Sequence, residues 1–356
     1  MQLGIIGLPK VGKTALFNTL TSQNRDTGKF SVSRDANVGV AQTDDDRLER
    51  LRDLYKPRRY TPATVEYVDL PGFRTGEGGE SVDLSKLRDV DALVHVVRAF
   101  EDPEILHSAG SVNPARDIQD LDLELILADY ALLERRLEKL SQAQKRGLSD
   151  EEKREQVLLK DVVQPALEAE RPLRMLELTA DDERRLRGFQ LLSAKPVLLV
   201  LNVDEGAIAD APTAEILSAV PEHAEVVVIS ATIEEEIAQL EPADQSELLE
   251  GLGLEEPSTM RLIKASYSLL GLISFFTVGE DEVRAWTIRS GTVARVAAGK
   301  IHSDIARGFI RAEVVSAEDL LELGSMSACR EAARLHLEGK EYAIADGEVV
   351  HFRFNV

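Results

Sequence analysis

Cysteine is almost missing from this chain of 356 residues, which contains only Cys329. A single thiol cannot form an intrachain disulfide, so the composition favours a reducing compartment. Long apolar runs are missing as well, since no stretch reaches the roughly 18 residues that a membrane-spanning helix needs. The first 20 residues lack the pattern of a secretory signal. We therefore expect a cytoplasmic protein with no membrane partner.

Positive charge is also scarce, because 63 acidic residues outnumber 42 lysines and arginines and leave a net charge of −21. A chain with a negative net charge does not bind nucleic acid through its overall electrostatic field. An RNA or ribosomal partner would need a local basic patch, or contact through ribosomal protein. The 44% hydrophobic and 29% charged residues are typical of globular proteins, and the length suggests two or three domains.

A phosphate-binding pattern stands at the start of the chain. The apolar stretch Leu3–Ile6 runs into Gly7-Leu8-Pro9-Lys10-Val11-Gly12-Lys13-Thr14, which is GxxxxGK[ST] between a strand and a helix. Its glycines allow backbone N–H groups to surround phosphates, Lys13 would reach the β- and γ-phosphates, and Thr14 would hold Mg²⁺. The nucleotide-binding set predicted here is Gly7, Pro9, Lys10, Val11, Gly12, Lys13, Thr14 and Ala15. The alternative is a glycine-rich turn that matches by chance.

A second element supports a nucleoside triphosphate. The strand Val65–Val68 ends in Asp69-Leu70-Pro71-Gly72, the DxPG turn of P-loop GTPases. There the aspartate holds Mg²⁺ through water and the glycine N–H meets the γ-phosphate. We predict Asp69 as a metal ligand and Gly72 as a nucleotide contact; the alternative for Asp69 is a cap at a strand end. Phe73 follows, where Ras-like enzymes carry the glutamine that orients water, so hydrolysis would need another group.

A third element concerns the base. GTPases place NKxD after a strand, whereas this chain has Asn202-Val203-Asp204-Glu205 after Val197–Leu201. Glutamate is one methylene longer than aspartate, so its carboxylate cannot occupy the same place, and guanine preference should be lost. We predict that Asn202, Val203 and Glu205, together with Ser230 and Ala231, form the base site. The alternative is a polar strand end with no base contact.

The remaining pattern indicates the fold. Apolar strand cores at Leu3–Ile6, Val65–Val68, Ala92–Val97, Pro196–Leu201 and Ala224–Ile229 alternate with helices, which predicts a doubly wound, mostly parallel α/β sheet. From about Leu121 to Arg187 the chain is helical and nearly free of glycine, with a capping-box pattern at Ser149 and Glu152. This favours a helical hairpin arm over ordinary crossover helices. Short strands and helices from residue 272 onward predict a small α+β domain.

Together these motifs resemble the YchF family, a branch of the Obg-related P-loop NTPases. The resemblance covers essentially the whole chain, including Asn37-Val38-Gly39-Val40, the helical insertion, and C-terminal blocks similar to a TGS domain. It implies a Ras-like G domain, ATP preference over GTP, a hydrophobic residue in place of the catalytic glutamine, a coiled-coil arm and association with ribosomes. It also implies a catalytic candidate, His107, on a mobile loop; the alternative is a surface histidine without a role.

Two positions depart from the family pattern. Ser33 stands where the switch segment usually carries a threonine that closes on Mg²⁺, and its hydroxyl remains a possible ligand. Lys10 stands where related GTPases use an asparagine to hold an activating K⁺. One hypothesis is that the Lys10 ammonium replaces that ion and supports catalysis beside Lys13. The alternative is that Lys10 points to solvent.

The sequence thus predicts a G domain over 1–124 and 191–271, a coiled-coil insertion over 125–190 and a TGS domain over 272–356. The predicted function is Mg²⁺-dependent binding and slow hydrolysis of ATP by a regulator associated with the ribosome, with possible RNA contact through the TGS domain and the arm. Thr14, Ser33 and Asp69 are the predicted metal ligands. A GTP-specific switch and a nucleotide-gated binding module with negligible turnover remain the alternatives.

Overall fold

In the computed structural model, the described residues are 1–22, 37–70, 85–221 and 224–355. They form two compact units. The first comprises Met1–Gly39 and Glu66–Leu262, and the second comprises Val40–Val65 and Ile263–Val356.

The first unit contains most of a six-stranded sheet with helices around it. Its strands are β1 (Gln2–Ile6), β2 (Asn37–Gln42), β4 (Thr64–Asp69), β5 (Ala92–Ala99), β6 (Val197–Val203) and β7 (Glu225–Ile229), in the order β2-β4-β1-β5-β6-β7. The pairs β1–β4, β1–β5, β5–β6 and β6–β7 are parallel. Parallel neighbours need crossover connections, and helices provide them. The predicted doubly wound sheet and its five strand cores are confirmed.

The helices of this unit vary widely in length. They are α1 (Lys13–Thr21), α3 (Ser85–Asp89), α4 (Pro114–Gln144), α5 (Asp150–Leu158), α6 (Gln164–Glu168), α7 (Ala180–Leu186), α8 (Ala214–Ala219), α9 (Ala231–Ile237), α10 (Pro242–Gly251) and the start of α11 (Ser258–Leu269). The longest, α4, has 31 residues. Its first half packs Ile118, Leu121 and Leu125 against the sheet, and its second half packs on the helices that follow. The same helix is therefore both a sheet cover and one side of the hairpin.

A helical hairpin follows the sheet-covering half of α4. Ser149 caps α5 through the predicted capping box, in which its hydroxyl accepts from the Glu152 backbone and the Glu152 carboxylate accepts from the Ser149 backbone. A π-helical turn at Leu159–Val163 joins α5 to α6. Pro165 explains this wider turn, because proline has no N–H to donate four residues back and its ring clashes with that carbonyl. The bounds 125–190 for the insertion stay a prediction.

The second unit is built on another six-stranded sheet. Its strands are β3 (Arg59–Thr61), β8 (Leu272–Thr277), β9 (Glu282–Arg289), β10 (Phe309–Ser316), β11 (His336–Glu338) and β12 (Glu348–Phe354), in the order β11-β10-β12-β8-β9-β3. Its helices are α2 (Asp46–Tyr55), the end of α11, α12 (Ala294–Ile301), α13 (Ser303–Arg307), α14 (Ala317–Leu323) and α15 (Met326–Glu331). The predicted small α+β arrangement is present.

One segment lies elsewhere than the sequence boundaries place it. Residues 40–65 fall inside the predicted G domain, yet they belong to the second unit. Leu48 and Leu51 of α2 are buried in the same apolar cluster as Phe276 and Leu320. In addition, β3 runs parallel to β9 at the sheet edge. A sequence reading misses this placement because the partners are more than 200 positions away along the chain.

Candidate nucleotide-binding site

The phosphate loop lies between the end of β1 and the start of α1. Gly7 has φ +145°, and a Cβ there would stand 2.3 Å from the Val96 carbonyl oxygen. Gly12 has φ +98°, and its Cβ would stand 2.3 Å from Asn202 Nδ2. Both positions therefore require glycine, for backbone conformation and for space. The loop leads into the N-terminus of α1, where no side chain caps the helix, so its first N–H groups remain available for an anion.

Lys13 is buried beneath this loop, with 7% of its surface exposed. Its ammonium donates to the carbonyl oxygens of Gly7 at 3.1 Å and Leu8 at 2.7 Å. Burial lowers the pKa of Lys13 to about 8, and the nearby Asp69 carboxylate opposes this shift. Burial removes water from the Lys13 ammonium, which disfavours its charged form. A bound polyanion would stabilise that charge, so the side chain is well suited to bind phosphates.

Proton uptake should therefore accompany ATP binding at pH 8.5. At this pH most Lys13 side chains are neutral, because the pKa of Lys13 is about 8. Bound phosphates favour the charged ammonium, so binding takes up a proton. ATP affinity should fall as the pH rises from 7 to 9. Calorimetry in buffers of different ionisation enthalpy measures the uptake. Lys13→Arg, which stays charged, should show none, and proton release by the unmodified protein would contradict the prediction.

The predicted metal ligands Thr14 and Asp69 are brought together. The Thr14 hydroxyl, at the start of α1, donates to Asp69 Oδ2 at the end of β4 over 3.0 Å. Asp69 is 4% exposed. A hydroxyl and a carboxylate side by side at a phosphate loop fit the ligand preference of Mg²⁺, which keeps several waters and substrate oxygens as its other ligands. Ser33 and Gly72 lie outside the described residues, as does Phe73.

Asn202 links two loops of the site. It lies at the end of β6 and is 4% exposed. Its Nδ2 donates to the Val11 carbonyl at 3.0 Å, and its Oδ1 accepts from the Ala231 backbone N–H at 2.9 Å. Ala231 begins α9 directly after Ser230, so one amide holds the phosphate loop to the loop after β7. Sequence reasoning assigned Asn202 only to the base, whereas the structure shows it as a bridge inside the protein.

The rest of the predicted base site lies at the same edge of the sheet. Val203 ends β6, and Glu205 starts a short 3-10 helix with its side chain exposed. Asp204, between them, accepts from the Glu101 backbone N–H at 3.4 Å. Ser230 is 2% exposed and precedes α9. The carboxyl ends of β5, β6 and β7 thus bring their loops together, as expected for parallel strands.

Arg98 is a residue of this region that the sequence analysis missed. It is 2% exposed and pairs in register with Asn202 across β5 and β6. Its guanidinium donates to the carbonyl oxygens of Phe100 at 3.0 Å, Ile105 at 2.9 Å and Asp102 at 3.3 Å. Arg98 therefore shapes the loop that follows β5. A charged residue in the mostly apolar strand Ala92–Ala99 was the available signal, because buried charge is rare unless it is satisfied.

The predicted catalytic candidates lie in different surroundings. His107 is on the loop after β5, and its side chain is 4% exposed because it packs against Asp117 in the first turn of α4. Lys10 is exposed, with a left-handed backbone at φ 62°. Pro9 lies within the phosphate loop, and Ala15 follows Thr14 in α1. The roles of Lys10 and His107 in hydrolysis stay predictions.

Family comparisons cover most of the chain. Residues 2–131 match a family model described as a 50S ribosome-binding GTPase. Residues 272–355 match YchF-GTPase_C, described as a protein of unknown function.

Full-length relatives are also similar. The chain is 45% identical to "Ribosome-binding ATPase YchF" of Bacillus subtilis, with 100% of both chains covered. It is 39% identical to the protein of the same name from Escherichia coli O157:H7, covering 100% of this chain and 99% of the relative.

Solved structures agree with the fold. The Schizosaccharomyces pombe YchF GTPase superposes with a TM-score of 0.87 at 30% identity, over 99% of this chain and 97% of that one. A GTP-binding protein from Pyrococcus horikoshii superposes with a TM-score of 0.61 at 20% identity, over 100% of both chains. The second likeness concerns the fold alone.

Proposed function

This chain belongs to the YchF family, and we propose that it is a ribosome-binding ATPase. The observation that carries the proposal is the phosphate loop, with Lys13 buried beneath it and Thr14 beside Asp69. The names of the relatives from B. subtilis and E. coli support both the ATPase activity and the ribosome as partner. Among the residues that the structure describes, no helix is long and apolar enough to cross a membrane. A cytoplasmic location fits a ribosomal partner.

The phosphate end of the site carries the chemistry. Backbone N–H groups of the loop between Gly7 and Ala15, other than Pro9, would bind the phosphates, and the Lys13 ammonium would leave the Gly7 and Leu8 carbonyls for the β- and γ-phosphates. Thr14 and Asp69 would hold Mg²⁺, which neutralises charge that develops during phosphoryl transfer. Both side chains are already within hydrogen-bonding distance of each other at 3.0 Å, so little rearrangement is needed to bind the ion.

Adenine preference rests on Glu205. In the NKxD motif of GTPases, an aspartate at the position of Glu205 accepts hydrogen bonds from N1 and N2 of guanine. Glu205 lies at the first position of a 3-10 helix and is exposed. Asp204, one residue earlier, already accepts from the Glu101 backbone. A base site of this kind leaves the guanine donors without the expected acceptor, which disfavours GTP.

ATP should bind at least about tenfold more tightly than GTP, equivalent to about 1.4 kcal/mol. Equilibrium titration of nucleotide-free protein with fluorescent ATP and GTP analogues in Mg²⁺ measures this ratio. Glu205→Asp should narrow the ratio, because it restores the shorter carboxylate. Glu215→Asp makes the same change on α8, away from these loops, and should leave the ratio unaltered. Tighter GTP binding by the unmodified protein would replace the ATPase proposal with a GTPase.

Two alternative functions, a GTPase and a binding module with negligible turnover, each have an observation in their favour. The S. pombe relative is described as a GTPase, and the base titration above decides between the nucleotides. A binding module with negligible turnover is favoured by Phe73, since a phenyl ring cannot orient water. Single-turnover hydrolysis of radiolabelled ATP, with and without ribosomes, distinguishes this module from an enzyme. RNA contact through the arm or the C-terminal domain remains part of the proposal.

Some basic residues of the C-terminal domain are engaged in contacts within the domain. The Arg284 guanidinium stacks on Trp286 at 3.8 Å from the ring centroid. Trp286 itself stacks on Phe275 and donates to the Thr277 hydroxyl. Arg307 pairs with Asp304. These contacts place Trp286 at the margin of the apolar cluster, so it supports the domain in addition to any role at a surface.

A further inference from the structure

His107 makes two specific contacts in the loop between β5 and α4. Its Nε2 lies 2.9 Å from Asp117 Oδ2, and the two side chains are 4% and 2% exposed. Neither of these two buried atoms has a hydrogen-bond partner of regular geometry among the described residues, so their 2.9 Å approach is a close polar contact. Its Nδ1 accepts the backbone N–H of Ala109 at 3.1 Å. The imidazole is therefore held from both sides.

These contacts define which nitrogen carries the proton. A ring nitrogen that accepts a backbone N–H has no hydrogen of its own, so in the neutral ring the proton lies on Nε2, toward Asp117. A histidine that assists hydrolysis must offer an unprotonated nitrogen to the attacking water. The one acceptor nitrogen of His107 is already used by Ala109. In this arrangement the side chain cannot accept a proton from water.

Asp117 is well placed to maintain this arrangement. It lies in the first turn of α4, where the helix dipole favours an anion. Its other oxygen, Oδ1, accepts from Arg116 Nε at 3.0 Å and from Nη2 at 2.7 Å. Arg116 Nη2 also donates to the Ser111 carbonyl at 2.8 Å. The carboxylate is thus oriented by its neighbours, with Oδ2 directed at the imidazole.

We propose that Asp117 is a positioning residue that holds His107 in a resting position and so limits ATP hydrolysis. This inference rests on the proposed ATPase function and on a part for His107 in it. Release requires that Nε2 leaves Asp117 and that Nδ1 leaves the Ala109 N–H. Because Asp117 belongs to α4, the helix that continues into the hairpin, a partner that shifts the first turn of this helix would release His107.

The test is single-turnover ATP hydrolysis by the full chain carrying Asp117→Asn. Asparagine keeps the shape but offers a neutral acceptor, and a hydrogen bond to a neutral group is weaker than one to a charge. The hydrolysis rate should rise about fivefold to tenfold. His107→Ala should lower the rate at least about tenfold, and the double variant should be no faster than His107→Ala alone. Asp120→Asn removes the same charge one turn further along α4 and should change little.

A second measurement reports on the contact without any turnover. Hydrogen exchange of the Ala109 amide should be faster in Asp117→Asn than in the unmodified protein, because the imidazole that accepts from it is no longer held. Asp120→Asn should leave this amide protected. Unchanged exchange in Asp117→Asn would overturn the proposed restraint.

The remaining outcomes separate the inference from the proposed function. A slower rate in Asp117→Asn would mean that Asp117 prepares His107 for catalysis, which overturns the resting-position proposal and leaves the ATPase intact. An unchanged rate with faster exchange would also overturn it, since the contact would then not limit hydrolysis. Full activity in His107→Ala would remove His107 from the mechanism and the inference with it. Absence of hydrolysis in the unmodified protein would overturn the proposed function itself.

Discussion

Replacing Asn202 by aspartate should weaken ATP binding by about 100-fold or more and destabilise the fold. The substitution keeps the shape of the side chain but puts a carboxylate oxygen 3.0 Å from the Val11 carbonyl, where Nδ2 now donates. Two acceptors then face each other in a site that is 4% exposed, and a buried charge is left with only the Ala231 backbone N–H as its donor. Nucleotide titration and chemical denaturation measure the two effects.

The comparison with alanine makes this prediction specific. Asn202→Ala loses both hydrogen bonds but adds neither a buried charge nor repulsion against the Val11 carbonyl, so it should be less damaging than Asn202→Asp. Asn113→Asp makes the identical change at the N-cap of α4, where Asn113 accepts from the Arg116 N–H, and caps tolerate either residue. If Asn202→Asp bound ATP as tightly as the unmodified protein, the bridge between the two loops would have no part in binding.

Replacing Asp129 by alanine should lower the free energy of unfolding by about 3–5 kcal/mol. Asp129, in the middle of α4, has no exposed surface. Its carboxylate accepts from the backbone N–H groups of Leu192 at 2.9 Å and Ser193 at 2.7 Å, and from the Ser193 hydroxyl at 2.8 Å. It also lies 3.5 Å from Arg88. Removing it leaves several buried donors unsatisfied where the hairpin returns to the sheet.

Urea denaturation followed by circular dichroism measures this loss. Asp161→Ala removes an exposed carboxylate from the π-helical turn of the same hairpin and should change the stability by less than about 0.5 kcal/mol. A similarly small change in Asp129→Ala would mean that water or rearranged neighbours satisfy the freed donors, and that the hairpin does not depend on this anchor.

The motif residues of the site were predictable because each is required by local geometry. A phosphate loop needs glycine at Gly7 and Gly12, and a carboxylate at a strand end, such as Asp69, lies beside the loop in a parallel sheet. The residues that organise the site were harder to find. Arg98 acts on carbonyl groups of its own loop, and any carbonyl is a possible partner, so the sequence alone does not identify them. The base contact of Asn202 stays a prediction, and its bridging role was not found, since the bridge joins residues 191 and 29 positions away.

In the fold as well, some features follow from the local sequence and others depend on distant partners. Strand cores, the hairpin and the capping box at Ser149 follow from apolar spacing and from pairs of residues three or four apart. The placement of residues 40–65 does not, because α2 and β3 are short and their burial depends on distant partners such as Phe276. A short amphipathic helix has an apolar face in any setting, and its sequence does not say which sheet covers that face.

By itself, the sequence determined that a phosphate-loop motif lies at Gly7–Thr14, that the core is a parallel α/β sheet, and that a helical hairpin interrupts it. Each of these depends on contacts between near neighbours or on a repeating pattern. Only the tertiary structure decided that Asn202 joins two loops, that Arg98 shapes the loop after β5, and that His107 rests against Asp117. These are single contacts between buried polar groups, and their partners are selected by the packing of the whole chain rather than by spacing along it.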